Sequence, residues 1–448
     1  MVPDRIAAVS RRMGRAASVV AWLLVLAVAP AMASDAQGAA AVVPAVAAPA
    51  AGRWTGSLQT WAYATRQALV DDSPLNPDDA IAALPQDVAT GDVRLDLKYA
   101  SDELDVVARP RLLVDDSRGR VAGGTTHEEY LSQAYLRWRP APSVAATVGR
   151  DAFDWGPANF RSPSNPFYFD AGRTNPLRDV SGIDIARLTM VSGATILTAA
   201  WIAHSGHDAA GDPYRETSLL KADRRGEDWL ASLALATQRH GSGFVGAFAQ
   251  ANIGEPWLVY AEFGSQRLPL ALQPTADGSS APFTVAQPSP RASSALGGVA
   301  YTLVNGQTIT AEYLRDNHGY GPQAERAYFG RVDGLATLLR IAPASPAQQG
   351  AASAGLGEAL GDAPRLLGRN YLYLLWQGNP NLGDAYWRAG WTGNLDDRSG
   401  QFALYGEYNV ATQATLFAAL TVNHGPRDSE FPSLMHGAVT VGAKFFVF

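Results

Sequence analysis

The sequence predicts an all-β chain, a transmembrane antiparallel β-barrel of about eighteen strands with sixteen as the second choice. Three observations predict it: runs of about ten residues alternate apolar and polar positions with period two, the connections between runs alternate long and short, and tryptophans collect beside the short connections.

The chain begins with an address. Arg5, Arg11, Arg12 and Arg15 form a basic region, Val19 to Ala29 an apolar one, and Ala31-Met32-Ala33 a small-residue cleavage pattern. The apolar region falls well short of the about 20 residues a spanning helix needs, so residues 1–33 are expected to be a signal peptide cleaved after Ala33. Losing four arginines and one aspartate leaves the remainder more acidic than the −6 of the whole chain. Residues 34–52, rich in Ala and Pro, offer no face to bury and are expected to be a flexible tether. The barrel is expected to occupy 53–448. The chain has no cysteine, which excludes a thiolate metal site and a lipidated-cysteine anchor.

Alternation is clearest over Asp92 to Tyr99, where Val93, Leu95, Leu97 and Tyr99 share one face and Asp92, Arg94, Asp96 and Lys98 the other. The next run places Leu104, Val106, Ala108, Pro110 and Leu112 against Asp105, Val107, Arg109, Arg111 and Leu113. A soluble sandwich would turn the charged face to solvent, whereas a membrane barrel turns it to a polar lumen. Similar runs begin near 55, 92, 104, 129, 143, 183, 193, 216, 228, 243, 257, 293, 307, 367, 384, 401, 414 and 435.

Connection length separates the two readings. Long segments at 69–91, 115–127, 150–182, 266–292 and 317–366 alternate with short turns such as Ser192-Gly193 and Asn305-Gly306, whose residues supply the left-handed backbone of hairpins. Trp138, Trp229, Trp257 and Trp376 lie beside short turns, as indole rings do at a membrane interface. Within 317–366 the spacing of Tyr328, Val332, Leu335 and Leu339 predicts a helix over Ala324–Ile341, placed to cap or plug the mouth. The final strand closes on Phe448, with Val439, Val441, Ala443, Phe445 and Val447 on one face and Phe446 and Phe448 on the other.

The segment Gly149 to Gly182 is too long and too aromatic for a solvent loop. Trp155, Phe160, Phe167, Tyr168 and Phe169 must pack on a surface, while Arg150, Arg161, Arg173 and Arg178 alternate with Asp151, Asp154, Asp170 and Asp179. As the third long connection it resembles the inward-folded constriction loop of Gram-negative outer-membrane porins. Its Gly-Arg, Trp-Gly and Asn-Pro steps also resemble barrels related to alginate exporters and other polysaccharide-handling proteins. The terminal aromatic is similar to the recognition signal of outer-membrane barrels.

That resemblance implies a pore constriction carried by Arg150, Asp154, Trp155, Arg161, Phe167, Tyr168, Asp170 and Arg173, with loop aromatics free to stack on sugars. The lumen wall is expected to carry Arg94, Lys98, Arg109, Arg111, Arg137 and Arg187, with Arg139 and Arg388 beside them and Asp92, Asp96, Asp105, Asp184, Glu312 and Glu407 facing the same way. Rings of bases favour anions. The expected partners are outer-membrane lipid and lipopolysaccharide, the barrel-assembly machinery through the strand ending at Phe448, and a small anionic or sugar solute, with no nucleic acid, cofactor or metal. The acidic 71–79 segment is read as a solvated loop in preference to a divalent-ion site. A barrel that binds or assembles surface polysaccharide is the alternative, and an outer-membrane hydrolase using His204-Ser205-Gly206-His207-Asp208 the second. On a strand His204 and Ser205 would face apart, and no HExxH, GxSxG or Walker pattern occurs.

Overall fold

The computed structural model describes residues 52–204, 206–207, 215–239, 243–266, 272–273, 284–285, 291–340 and 344–448. The expected signal peptide, nearly all of the tether and most of 266–292 lie outside the described residues.

Eighteen strands form one sheet in which every neighbouring pair is antiparallel. In chain order they are β1 (Arg53–Leu69), β2 (Pro85–Ala100), β3 (Leu104–Gly119), β4 (Gly123–Ala141), β5 (Val144–Asp151), β6 (Ile183–Ser192), β7 (Thr195–His204), β8 (Thr217–Arg225), β9 (Trp229–Gln238), β10 (Gly243–Ile253) and β11 (Trp257–Gln266). They continue as β14 (Ala292–Thr302), β15 (Thr308–Asp316), β16 (Asn370–Gln377), β17 (Ala385–Asn394), β18 (Ser399–Ala411), β19 (Ala414–His424) and β20 (Met435–Phe446). A two-residue ribbon, β12 (Leu272–Gln273) with β13 (Thr284–Val285), stands apart. The sheet closes because β1 pairs with β2 on one side, Trp61 opposite Asp92, and with β20 on the other, Trp61 opposite Lys444. Closure leaves no edge strand.

The two faces settle what surrounds the barrel. Outward positions are apolar and exposed: Leu136, Val148, Leu188, Leu197, Leu220, Leu235, Leu404, Leu416 and Val441. Leu220 alone is 62 % exposed. Each such side chain gains about 1.5–3 kcal/mol when taken out of water, so a belt of this extent belongs in lipid. Inward positions carry Asp92, Asp105, Arg111, Lys221, Glu262 and Glu312, all buried. That polar interior excludes the soluble sandwich, whose core would be apolar. No helix among the described residues is long and apolar enough to cross a membrane.

The tight turns carry the expected chemistry, with Gly193 at φ +57° and Gly306 at φ +78°. Trp138, Trp229, Trp257 and Trp376 are half exposed on the outer face. Trp257 stands 4.5 Å from Tyr301 and Trp376 5.0 Å from Trp387 between ring centroids, extending an aromatic girdle at the short-turn end.

Two details correct the sequence reading and one extends it. The long connection expected at 115–127 is a hairpin tip, because β3 and β4 run on to Gly119 and Gly123, beyond the length a membrane requires. The helix expected over Ala324–Ile341 is α1, Pro322–Arg340, and a second helix, α2 (Pro346–Gly361), pairs with it. Its start is a capping box in which Ser345 accepts from the Gln348 N–H and Gln348 accepts from the Ser345 N–H. At the C-terminus Phe448 does not follow Phe446. Leu58 N–H donates to the Phe448 carbonyl while Val447 N–H donates to the Leu58 carbonyl, so two residues oppose one. This bulge carries the Phe448 ring to the outer face, beside Gly56 and Leu97.

Candidate functional site: the loop across the lumen

Residues 152–182 leave β5 and cross the interior before entering β6, and four anchors fix the crossing. The first is apolar. Phe153, Trp155, Phe167 and Tyr168 pack with Ile183, Ile185, Ile202, Leu219, Phe244 and Phe248 of the adjoining wall. Trp155 meets Phe153 and Phe167 edge-on at 5.0 and 5.9 Å, and its Nε1 donates to the Ser164 carbonyl at 3.0 Å. Lys221 Nζ stands over the same indole at 5.5 Å.

The second anchor is a pair of wall carboxylates. Glu262 on β11 accepts from Ala158 N–H at 2.9 Å, Ser162 Oγ at 2.6 Å, and the Ser164 N–H and Oγ at 3.2 and 2.7 Å. Glu312 on β15 accepts from Asn159 N–H at 2.6 Å, Phe160 N–H at 2.7 Å and the Tyr260 hydroxyl at 2.5 Å. An irregular buried segment must place its N–H groups somewhere, and here the opposite wall takes them.

The third anchor is Phe160, stacked on Tyr373 of β16 at 5.5 Å. The fourth is Arg173, which donates to the Gly156 and Ala158 carbonyls at 2.9 and 2.7 Å and pairs with Asp154 at 2.8 Å. Its own carbonyl accepts from Arg388 of β17 at 2.7 Å. Contacts to Arg94 and Arg111 on β2 and β3 complete the span, through the Leu177 carbonyl at 3.3 Å and Asp179 at 3.3 Å. A segment rooted between β5 and β6 that touches β2, β3, β11, β15, β16 and β17 lies inside the barrel.

The residues expected at the constriction therefore divide. Trp155, Phe167 and Tyr168 are buried, as is Phe160. Their rings face the wall, so the sugar-stacking role expected of them is corrected to one of anchoring. Arg150 is bound to Asp184 by two bonds of 2.8 and 3.0 Å at the loop's root. Asp154, Arg161, Asp170 and Arg173 are partly exposed, with Asp170 receiving both Arg161 at 3.4 Å and Arg178 at 3.1 Å. A cavity of about 240 Å³ lies between the loop tip, Thr174 to Leu177, and the wall from β16 to β20. Tyr373, Arg388, Thr392, Gln401, Tyr405, Thr421 and Thr440 line it. Apart from Arg388, the sequence reading did not single these out, because neutral hydroxyls on alternating strands look like any barrel interior.

The arginines of the wall lie against acids. Arg94 pairs with Asp92 at 2.7 Å and lies 3.6 Å over Trp61. Asp96 takes Arg111 at 2.8 Å and Arg109 at 3.6 Å. Arg137 and Arg187 share Asp151 at 3.3 and 2.7 Å, and Arg139 pairs with Asp105. Lys98 is exposed near the short-turn end. In the acidic 71–79 segment Asp71 pairs with Arg120, and Asp72 with Arg340 and Arg427.

Of the proposed hydrolase cluster, Ser205 and Asp208 lie outside the described residues. His207 stacks on Tyr130 at 4.0 Å. A different trio missed by the sequence reading, Ser294, Asp316 and His318, does meet. Ser294 Oγ is 2.6 Å from Asp316 Oδ1, and the imidazole nitrogen it approaches, Nδ1 at 3.2 Å, is the one already 2.6 Å from that aspartate. The serine has no separate base, so this is a structural tie.

No protein-family model matches the chain, and no curated protein matches it in sequence. Solved structures do match in shape. Acinetobacter baumannii OccAB1 aligns with a TM-score of 0.52 at 10 % identity, over 88 % of this chain and 96 % of that one. Pseudomonas aeruginosa OccK5 (OpdH) gives 0.49 at 10 % identity over 88 % and 98 %. A Rhodopseudomonas blastica porin triple mutant gives 0.42 at 12 % identity over 88 % and 100 %. None of these three is named as a polysaccharide-handling barrel. The chain thus has the fold of the outer-membrane porins, a closed eighteen-strand antiparallel barrel with its third loop folded into the lumen.

Proposed function

We propose that the barrel is an outer-membrane channel, without enzymatic activity, that passes small anionic or polyhydroxylated solutes by diffusion between the loop tip and the β16–β20 wall. Arg388 is the observation that carries the solute class. Its guanidinium lines the passage and is engaged by the Arg173 carbonyl and the Tyr373 hydroxyl, yet no carboxylate among the described residues pairs with it. Arg94, Arg109 and Arg111 are matched by Asp92, Asp96 and Asp179, and Arg137, Arg139 and Arg187 share Asp105 and Asp151, so among the residues that line the passage itself the basic side chain is Arg388. Its free donors suit a carboxylate or phosphate, and the hydroxyls and amide of Thr392, Gln401, Tyr405, Thr421 and Thr440 suit a solute rich in hydroxyl groups.

On this reading the leader is removed after Ala33, the outer belt meets lipid and lipopolysaccharide, and the assembly machinery reads the strand ending at Phe448. Purified protein in a planar bilayer tests the proposal. Stepwise ohmic openings with an anion-selective reversal potential support it, and a silent barrel that retains glycan on a column contradicts it.

A further inference from the structure

The loop packs on the wall from β5 round to β16, and the cavity at its tip lies against the wall from β16 to β20. Tyr373, Thr392 and Gln401 of the passage each lie one inward step below Tyr371, Asn394 and Ser399 at the mouth. Those upper residues hold the connection between β19 and β20. The Tyr371 hydroxyl and Asn394 Nδ2 donate to Glu430 Oε2, the latter at 2.9 Å, and Phe431 N–H donates to Ser399 Oγ at 3.4 Å. The helices rest on this connection and on that between β1 and β2. Tyr328, Phe329, Val332 and Leu335 of α1 pack with Leu356 of α2 and with Leu75, while Ile81 and Leu434 flank the cluster. The result is an apolar roof carried by the β1–β2, β15–β16 and β19–β20 connections.

One residue does not fit an apolar roof. Glu325, in the first turn of α1, is 4 % exposed, and its Oε1 has no hydrogen-bond partner. The groups that face it are acids: Asp396 and Asp397 from the β17–β18 turn and Glu430 from the β19–β20 connection. All three already have donors. Asp396 accepts from Arg369 N–H at 2.6 Å, Asn370 N–H at 2.9 Å and Asn370 Nδ2 at 2.7 Å. Asp397 accepts from Ser399 N–H at 2.7 Å and Glu430 N–H at 2.8 Å. Glu430 also accepts from Leu367 N–H at 3.3 Å.

No ion pair joins Glu325 to a cation among the described residues. Arg369, beside Gly321, donates to the Gly319 carbonyl at 2.9 Å. Arg161, beneath Glu430, pairs with Asp170 at 3.4 Å, and Arg326 on the same helix is exposed. Glu325 is buried while Asp396, Asp397 and Glu430 around it are half-buried, and ionising it there without a paired cation is strongly disfavoured. A proton on Glu325, hydrogen-bonded to Asp397, removes the conflict.

We propose that α1 and α2 form a proton-locked lid, seated over the passage while Glu325 is protonated and released when Glu325 ionises. This rests on the channel reading above. Burial, and then the facing carboxylates Asp397, Glu430 and Asp396, push the Glu325 carboxyl up to about 8. Burial likewise pushes Glu430 up to about 7, against the hydrogen bond from Tyr371. A carboxyl raised in the seated state stabilises that state fully below its ordinary value of 4.5, and the stability is lost as the pH climbs through about 8. Between those limits each pH unit multiplies the released-to-seated ratio by up to about tenfold.

The test uses the whole mature chain and two readouts. In planar bilayers the wild-type conductance should rise several-fold when the long-loop side is moved from pH 6 to pH 9. Glu325→Gln, whose amide can donate to Asp397 at any pH, should keep the low value throughout. In liposomes, amide exchange over 322–361 should be at least about tenfold faster in wild type than in Glu325→Gln at pH 9, and the same in both at pH 6. Equal exchange at pH 9 overturns the lid whether or not the barrel conducts, and so does a conducting barrel whose conductance ignores pH. Silence in a variant lacking 322–361 overturns the channel reading instead, and leaves the exchange result to judge the lock on its own.

Discussion

Glu312 accepts a hydrogen bond from the backbone N–H of Phe160 at 2.7 Å, joining strand β15 to a loop rooted between β5 and β6, on a distant part of the wall. The carboxylate is 1 % exposed and also takes Asn159 N–H and the Tyr260 hydroxyl. The loop's path is thus dictated by acceptors on the wall it reaches, and these in turn set where the open passage lies.

Replacing Glu312 with Gln keeps the shape but turns one acceptor into a donor facing other donors. Loop docking should weaken by about 1–3 kcal/mol, visible as larger open-channel current noise, while heat-modifiable gel mobility still reports a folded barrel. Quiet currents like those of the wild type would assign the loop's rigidity to the aromatic anchor alone.

The outer and inner faces of one strand pair should respond oppositely to charge. Leu404→Arg on the lipid side should cost about 2–4 kcal/mol of folding free energy near the bilayer midplane. Thr421→Arg, which points into the passage, should leave urea-induced unfolding almost unchanged. Equal losses would mean that the polar interior is not wet.

Arg388→Glu should move the reversal potential in a salt gradient toward cations, with conductance of similar size. The shift should shrink as ionic strength rises to about 1 M, where screening falls to roughly 3 Å. Selectivity indifferent to this reversal would move the filter away from the β17 wall.

Tags inserted at Gly193 or Gly306 should bind antibody only after permeabilisation, and a tag at Ala363, between α2 and β16, should bind it on intact cells. The reverse pattern would turn the barrel over in its membrane and leave the lid facing the periplasm.

The strands were legible because period-two alternation is a local signal. Val93, Leu95 and Leu97 report one face and Asp92, Arg94 and Asp96 the other without reference to any partner strand, and turns such as Asn305-Gly306 mark where each run ends. That the 150–182 segment packs on a surface was readable from its aromatics. Where those aromatics end up was not, since Phe160 reaches Tyr373 across more than two hundred residues, and no spacing within the loop encodes Glu262 or Glu312 as its acceptors. Ion pairing was hidden for the same reason: Arg137 and Arg187 meet at Asp151 only once β4, β5 and β6 are in register. Helix α2 escaped because its Ala- and Gly-rich sequence lacks an apolar stripe, although Ser345 and Gln348 carried its start. The bulge that redirects Phe448 depends on β1, and the last strand by itself holds no trace of it.

Single-channel conductance of a variant lacking Phe160 to Arg173 tests the central claim most directly. That deletion removes the Phe160 stack, the Glu262 and Glu312 acceptor bonds from Phe160 onward, and the Arg173 bridge to Arg388, while the strand ladders remain. The account predicts a folded barrel with higher conductance and weaker ion selectivity than the wild type. A folded variant whose conductance and selectivity both equal those of the wild type would contradict it, because the loop would then narrow nothing.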